Sequence, residues 1–143
     1  MTNHNQQIKC YALALKMLIR REHSQLELSK KLQLKGFDDF DIKHSINLLI
    51  EQNYQSDARF SEAFILMRYN QGKGPVIISS ELKKRGIESF DLSIFDWFNL
   101  AKEVREKKFG KNLPSDYKTQ AKQKRFLKSR GFSFDEINKA FSR

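Results

Sequence analysis

The sequence predicts an all-α fold, built as an array of three tandem three-helix repeats. Apolar residues recur at three- and four-residue steps along nearly the whole chain, the spacing typical of amphipathic helices. The 143 residues include only 2 prolines and 6 glycines, too few for the many turns of a β-sandwich or β-barrel. A helix pattern that ends in glycine also recurs three times. The 39% of apolar residues is sufficient for a core and argues against wholesale disorder.

The first repeat contains three predicted helices. The first helix carries an apolar stripe, formed by Ile8, Tyr11, Ala12, Leu15, Leu18 and Ile19. Ser24 and Glu27 match a capping box that opens the second helix, which stops at Gly36. The third helix starts near Asp39 and ends at Asn53. The apolar faces of the second and third helices are Leu28 and Leu32, then Ile42, Ile46, Leu49 and Ile50.

The pattern restarts at Ser56 or Asp57, either of which can cap a helix. The buried face of this helix is predicted to be Phe60, Ala63, Phe64 and Met67. Pro75 suits the first position of the next helix, because its missing N–H has no partner there. That helix ends at Gly86 and buries Ile78 and Leu82; the run Val76–Ile78 is β-prone, but the charged residues after it favour a helix. A further helix is predicted to open at Ser89 or Asp91 and to bury Leu92, Phe95 and Phe98.

The last third of the chain is more polar but keeps the same order. Leu100 and Val104 indicate a helix that ends at Gly110. Ser115 is predicted to cap a helix that ends at Gly131 and carries Tyr117, Ala121, Lys124 and Leu127 on one side. Ser133 and Glu136 match a second capping box, which opens a short helix containing Ile137, Ala140 and Phe141.

The three passages share a Leu-x-x-x-Gly element followed by an apolar residue. Its copies are Leu32…Gly36-Phe37, Leu82…Gly86-Ile87 and Leu127…Gly131-Phe132, and each is followed by an aromatic–acid pair: Phe40-Asp41, Phe90-Asp91 and Phe134-Asp135. The alternative is three unrelated glycine-capped helices. Because one such unit cannot bury its apolar face alone, neighbouring repeats are expected to stack. The predicted boundaries are residues 1–54, 55–98 and 99–143.

Positive charge is concentrated at one end of the chain. Lys and Arg outnumber Asp and Glu by 27 to 17, a formal charge of +10. Residues 99–143 hold 13 basic and 5 acidic side chains, a net charge of +8, whereas the first repeat has a net charge of +2 and the second is neutral. Such a cluster is suited to a polyanion or an acidic protein surface. The alternative is that these side chains are solvated helix faces whose carbons cover the core.

Other function classes find little support. The longest apolar runs have five residues, as in Tyr11 to Leu15, and no secretory h-region follows the N-terminus, so a cytoplasmic protein without a membrane partner is predicted. Cys10 is alone and resembles an inert core thiol. Gly72-Lys-Gly74 lacks the Gly-Lys-Ser/Thr ending of a phosphate loop. His4, His23 and His44 show no ligand spacing. We therefore assign no catalytic residue, metal or cofactor, and predict a protein that is not an enzyme.

The aromatic residues of the middle region are assigned mainly to the core. Phe95, Trp97 and Phe98 lie at helical spacing, which favours packing over a platform for stacking bases. Tyr69 and Tyr117 lie among polar residues and are the better stacking candidates.

Three stretches of the chain resemble blocks of one known family. The first comprises Arg20-Arg-Glu-His-Ser24, Glu27-Leu28 and Lys31-Leu32. The second, and the most distinctive, runs from Asp57-Ala-Arg-Phe60 through Arg68, Gly72-Lys-Gly-Pro75 and Glu81-Leu82 to Arg85-Gly-Ile87. The third comprises Arg125-Phe-Leu127 and Arg130-Gly-Phe-Ser133. Together they resemble the RecX family of recombinase regulators. The chain departs from the family at Val76-Ile77, where a basic residue is common, and in the loop 111–118.

The resemblance implies three tandem three-helix repeats in an elongated, curved body. It also implies a regulator that binds the RecA–single-strand DNA filament and reduces strand exchange, ATP hydrolysis and co-protease action. Such a regulator limits filament extension or promotes disassembly in recombination and the SOS response. The partners expected are the recombinase filament and single-strand DNA, contacted directly or through the filament, with the regulator acting as a monomer.

Basic residues recur in the predicted middle helix of each repeat and at the flanking helix ends. The candidate partner and DNA contacts are Arg20, Arg21, Lys30, Lys31, Arg68, Lys83, Lys84, Arg85, Lys124, Arg125, Lys128 and Arg130. One alternative function is direct DNA binding, in which paired helices such as 25–35 and 39–52 act as helix-turn-helix units beside the basic C-terminal repeat. Another is a helical scaffold for some other acidic protein.

Overall fold

The computed structural model describes residues 4–142, which form eight α-helices and no strand. In chain order the helices are α1 (His4–Arg20), α2 (Gln25–Leu34), α3 (Asp39–Glu51), α4 (Asp57–Asn70), α5 (Pro75–Lys84), α6 (Trp97–Phe109), α7 (Tyr117–Ser129) and α8 (Phe134–Lys139). The all-α class predicted from the sequence is confirmed.

The chain divides into two compact units, of which the first contains the chain as far as Ala63 together with Lys83–Phe90. Its core lies among α1, α2 and α3. The buried residues of that core are Cys10, Ala14, Leu28, Leu32, Ile42, Ile46 and Leu49. The apolar faces predicted for α2 and α3 are therefore confirmed, except that Ile50 is exposed.

The stripe predicted for α1 is partly wrong. Ile8, Ala12 and Ile19 are exposed, and the helix buries Cys10 and Ala14 instead. At about 100° per residue, the three exposed residues fall on the side of the helix opposite to the two buried ones. Spacing of three and four residues fits both faces of this apolar helix, so the spacing does not decide which face packs on α3.

The second unit contains Phe64–Leu82 and the chain from Asp91 onward. Here the loop before α5 pairs by its backbone with the turn after α7. The Gly74 N–H donates to the carbonyl of Arg130 at 2.8 Å, and the Val76 N–H donates to that of Gly131 at 2.9 Å. A Cβ added to Gly74 would lie 2.3 Å from the Gly131 oxygen, so the two backbones approach closely enough to require glycine.

Several predicted helix ends are confirmed. Ser24 and Ser133 each close a capping box, with Glu27 and Glu136 as the reciprocal partners. Pro75 is the first residue of α5. Ser56 caps α4, since its hydroxyl accepts from a backbone N–H three residues on. Glycines with φ near +90° follow α2, α5, α6 and α7.

The helix predicted to open at Ser89 or Asp91 is absent. The Asp91 carboxylate instead accepts from the Ser93 N–H at 2.9 Å, which forms a local turn, and α6 begins at Trp97 with Asp96 as its cap. A short aspartate turn competes with helix initiation for the same backbone donors. The cap predicted at Ser115 is also wrong, because Asp116 caps α7.

Some residues predicted to be buried are exposed. They are Ala63 and Met67 on α4 and Phe98 on α6. Helix α4 buries Ser61 and Ile65 beside the predicted Phe60 and Phe64. The buried strip of α4 therefore follows the four-residue step from Phe60 and Ser61.

Candidate functional site

Three of the predicted contacts converge at the end of α1. Arg20, Arg21 and Lys31 line a cavity of about 200 Å³ together with Met17 and His23. Arg20 ends α1, and Arg21 follows it directly. Lys31 lies in the last turn of α2, whose capping box fixes the start of that helix. We call these three residues the Arg20 cluster.

His23 contacts two members of the Arg20 cluster, Arg21 and Lys31. Its Nδ1 lies 3.1 Å from the carbonyl oxygen of Arg21, and its Nε2 lies 2.9 Å from the Lys31 Nζ. A carbonyl oxygen only accepts, so Nδ1 carries the proton and Nε2 accepts from the ammonium. Burial lowers the pKa of His23, which is only 2% exposed. The neutral ring therefore holds Lys31 in place.

Glu27 connects the capping box to two arginines. Its carboxylate lies 3.3 Å from Arg21 Nη1 and 3.7 Å from Arg85 Nε, and accepts from the Ser24 N–H at 3.1 Å. Burial acts to raise the pKa of Glu27, but the hydrogen bonds from Arg21 and Ser24 outweigh it and the net shift is downward. Part of the charge of Arg21 and Arg85 is thus compensated within the first unit.

Arg68 has a structural role in the second unit. Its guanidinium donates to both carboxylate oxygens of Glu81, at 3.1 and 2.8 Å, and lies over the ring of Phe64. This bidentate pair joins α4 to α5. The structure therefore gives Arg68, a predicted partner contact, an internal partner.

A second basic site lies in the second unit, in a cleft of about 520 Å³ bordered by α4, α6 and α7. Its cations are Lys107, Lys108 and Arg130, and its apolar walls include Val104 and Phe126. Lys108 Nζ lies 5.4 Å, and Arg130 Cζ 5.7 Å, from the centre of the Phe126 ring. Among residues 4–142, these three cations have no carboxylate within 4 Å.

Arg130 contacts the end of α4. Its Nη2 donates to the carbonyl of Gln71 at 3.3 Å, while its buried Nε has no partner among the described residues. The side chain of the same glutamine accepts from Arg68. Two predicted contacts, Arg68 and Arg130, are thus brought together at Gln71.

The remaining predicted contacts lie in or next to α2, α5 and α7. Each of α2, α5 and α7 contains a fully buried leucine from which positions can be counted: Leu32, Leu82 and Leu127. A basic residue stands three positions after it in every case: Lys35, Arg85 and Arg130. Exposed basic residues one or two positions away are Lys30, Lys83, Lys84, Arg125 and Lys128. Lys124 faces inward, donating to Asn138 at 3.1 Å.

Sequence reasoning missed His23, Lys107 and Lys108 as site residues and Arg105 as a core residue. Arg105 is 1% exposed and donates from Nε to the carbonyl of Ala140 at 2.9 Å. Its position four residues after Ala101 places it on the buried face of α6, a signal that was available. The role of His23 depends on Lys31, eight residues away, and the roles of Lys107 and Lys108 depend on residues more distant in sequence.

The aromatic residues of the second unit pack on one another. Tyr69 stacks on Phe95 with centroids 4.3 Å apart, and Trp97 meets both rings edge-on. Trp97 is buried, as predicted, and Tyr69 is occupied by internal stacking. Tyr117 is exposed. Cys10 is a buried thiol whose pKa is raised by burial.

Within residues 4–142, no cluster of His, Cys, Asp or Glu is suited to a metal ion. No helix in that part of the chain is long and apolar enough to cross a membrane. Helices, glycine turns and basic clusters together define a tandem helical-domain protein with cationic surface sites.

The chain belongs to the RecX family. Three family models match it in order: the first three-helix domain of RecX over residues 10–47, the second over 56–92 and the third over 96–141. The predicted tandem array of three-helix domains is confirmed, as is the resemblance found in the sequence.

Similarity to individual relatives supports the same family assignment. The Regulatory protein RecX of Vibrio campbellii is 42% identical over 135 residues, covering 90% of this chain and 87% of the relative. That of Legionella pneumophila is 41% identical over 140 residues, covering 93% of each chain. The crystal structure of RecX from Lactobacillus salivarius is similar with a TM-score of 0.82 at 25% identity, covering 96% of each chain. The family is named for a regulatory role.

Proposed function

We propose that this chain binds a RecA–single-strand DNA filament and inhibits its recombinase, ATPase and co-protease activities. It limits filament extension or promotes disassembly during recombination and the SOS response. It acts in the cytoplasm as a monomer, by binding, without a cofactor or catalysis of its own. The repeats correspond to residues 1–54, 55–98 and 99–143.

The observation that carries this proposal is the recurrence of exposed cations on the middle helix of each repeat. Lys30 on α2, Lys83 on α5 and Lys128 on α7 are exposed, and none has a carboxylate within 4 Å among the described residues. A filament presents the same acidic or phosphate groups repeatedly. Contacts made at several points by one linked chain reinforce each other through effective concentration.

Co-sedimentation with preformed recombinase filaments tests the proposal. We expect the chain to pellet with filaments assembled on single-strand DNA with nucleotide, and far less with the same DNA alone. Equal binding to bare DNA, falling steeply with salt, would favour the alternative of a direct DNA-binding protein. Binding to neither would favour the scaffold alternative.

A charge variant localises the contact. Arg125→Gln combined with Lys128→Gln removes two exposed cations of α7 without disturbing Lys124 or Arg130, which have internal partners. We expect weaker filament binding with an unchanged melting temperature. Lys9→Gln combined with Lys16→Gln removes the same charge from α1 and should bind as the wild type does. Equal losses for both pairs would argue against a contact at α7.

A further inference from the structure

We infer that the Arg20 cluster is a binding site for a backbone phosphodiester of single-strand DNA, with His23 as a positioning residue. The inference deepens the proposed function, on which its biological setting rests, by naming the ligand group that one part of the chain takes. It follows from the size of the cavity, the chemistry of its walls and the hydrogen bonds of His23.

The cavity fits a phosphate group by size. Its volume of about 200 Å³ corresponds to the space of roughly six or seven water molecules in the liquid, at about 30 Å³ each. A phosphodiester group with part of its hydration shell fits that volume. The lining residues include no Phe, Tyr or Trp, and the one ring among them, His23, is buried and engaged through both of its nitrogens.

The walls supply donors with positive charge. Arg20 has no carboxylate within 4 Å among residues 4–142, so its charge is not compensated there. Lys31 gives one of its three N–H bonds to His23, which leaves two for a ligand. Arg21 already donates hydrogen bonds to Glu27 and to the carbonyl of Glu22. It is therefore expected to attract the phosphate by its charge rather than by direct hydrogen bonds.

His23 determines where the Lys31 ammonium lies. A lysine side chain on a helix surface is flexible, and fixing it costs conformational entropy. The hydrogen bond of 2.9 Å to a buried ring fixes the ammonium before a ligand arrives. Since every nucleotide presents the same phosphodiester, the site is expected to bind without sequence preference.

The experiment is a salt titration of the full chain with a labelled oligothymidylate, followed by fluorescence anisotropy. For single strands, each phosphate neutralised contributes about 0.7 to the slope of log K against log salt. We expect Lys31→Gln and Arg20→Gln each to reduce the magnitude of that slope by about 0.7. Lys16→Gln, which removes an exposed charge of α1 outside the cavity, should leave the slope unchanged.

Two further arms identify the ligand group and the role of His23. An oligothymidylate with uncharged methylphosphonate linkages should not bind. His23→Phe should weaken binding without changing the slope, because Lys31 keeps its charge but loses its position. His23→Gln, whose side-chain oxygen can accept from Lys31, should restore binding. Thermal melting shows whether each variant folds. If His23→Phe does not fold, the slope measured for Lys31→Gln still tests the inference.

Equal slopes for Lys31→Gln and Lys16→Gln would overturn the inference, and so would the absence of wild-type binding at low salt. These outcomes are distinguishable from failure of the proposed function. A wild-type chain that ignores recombinase filaments but binds the oligothymidylate through Lys31 would contradict the filament proposal and leave this site intact. If Lys31→Gln changes neither filament binding nor the salt slope, the phosphodiester site is contradicted and the filament proposal stands.

Discussion

Three arginines of the first unit pair with carboxylates, whereas several cations of the second unit lie over aromatic rings. In the first unit Glu27 lies against Arg21 and Arg85, and Glu22 lies 2.8 Å from Arg59. In the second unit the rings are Phe126 beneath Lys108 and Arg130, Phe141 beneath Lys124, and Phe98 beneath Lys139. An aromatic ring orients a cation without cancelling its charge. The ring-held cations of the second unit therefore keep their positive charge available for a partner.

The glycines after α2 and α7 give a second contrast between the units. Gly36 and Gly131 have nearly the same backbone conformation, with φ of +92° and +96°. A Cβ on Gly36 would meet nothing within 4 Å, whereas a Cβ on Gly131 would lie 2.6 Å from Ile77 Cγ1. The same helix-ending motif is thus a local turn in one unit and a packing contact in the other.

The largest expected effect comes from substituting these two glycines. Gly36→Ala should lower the free energy of unfolding by about 1 kcal/mol, the cost of placing a side chain at positive φ. Gly131→Ala adds a clash with Ile77 and should cost about 3 kcal/mol. Urea denaturation of both variants measures the difference. Equal losses would mean that Ile77 moves aside without cost, and that the two turns are equivalent.

Arg68 differs from the ring-held cations of the second unit, since it forms a close bidentate pair with a carboxylate. Arg68→Gln breaks the bidentate pair with Glu81 and should cost about 2 kcal/mol of stability. Lys108→Gln removes a cation held only by a ring among the described residues, and should cost less than about 1 kcal/mol. Thermal melting of the two variants compares them. A larger loss for Lys108→Gln would contradict the distinction between the two kinds of partner.

Features that depend on a few neighbouring residues could be predicted from the sequence. The capping boxes at Ser24 and Ser133 connect residues three apart, and Gly36 and Gly131 follow from the end of a local pattern. The helix predicted at Asp91 does not form, because an equally local turn between Asp91 and Ser93 takes its place. Residue propensity alone does not show whether a helix or an aspartate turn is more stable at Asp91.

The candidate sites could be predicted only in part. Arg20, Arg21 and Lys31 were named from the sequence, but their convergence on His23 depends on how α1 and α2 pack. The Glu81 partner of Arg68 is 13 residues away, and the Gln71 partner of Arg130 is 59 residues away. Periodicity indicates the buried face where a helix is apolar on one side, as in α2 and α3, but says nothing about which charges meet across helices.

The two capping boxes offer a smaller comparison between the units. Ser24→Ala and Ser133→Ala should each cost about 1 kcal/mol, because each removes the acceptor of one helix N–H. Glu27 in the first box also binds two arginines, whereas Glu136 has no ion pair among the described residues. Equal losses in melting experiments would show that the cap acts independently of those arginines. A larger loss for Ser24→Ala would show that the arginines depend on the cap.

The smallest expected effect is a pH dependence specific to the first unit. Burial lowers the pKa of His23 in the folded chain below its unfolded value of about 6.5. The unfolded chain therefore binds a proton more readily, and stability falls as the pH drops from about 6.5 towards the folded pKa. Melting of the wild type should decline over this range more than that of His23→Gln, in which the other histidines and all carboxylates are retained. Parallel curves would mean that His23 protonates as easily in the folded chain as in the unfolded one, and that the Lys31 ammonium tolerates a charged ring beside it.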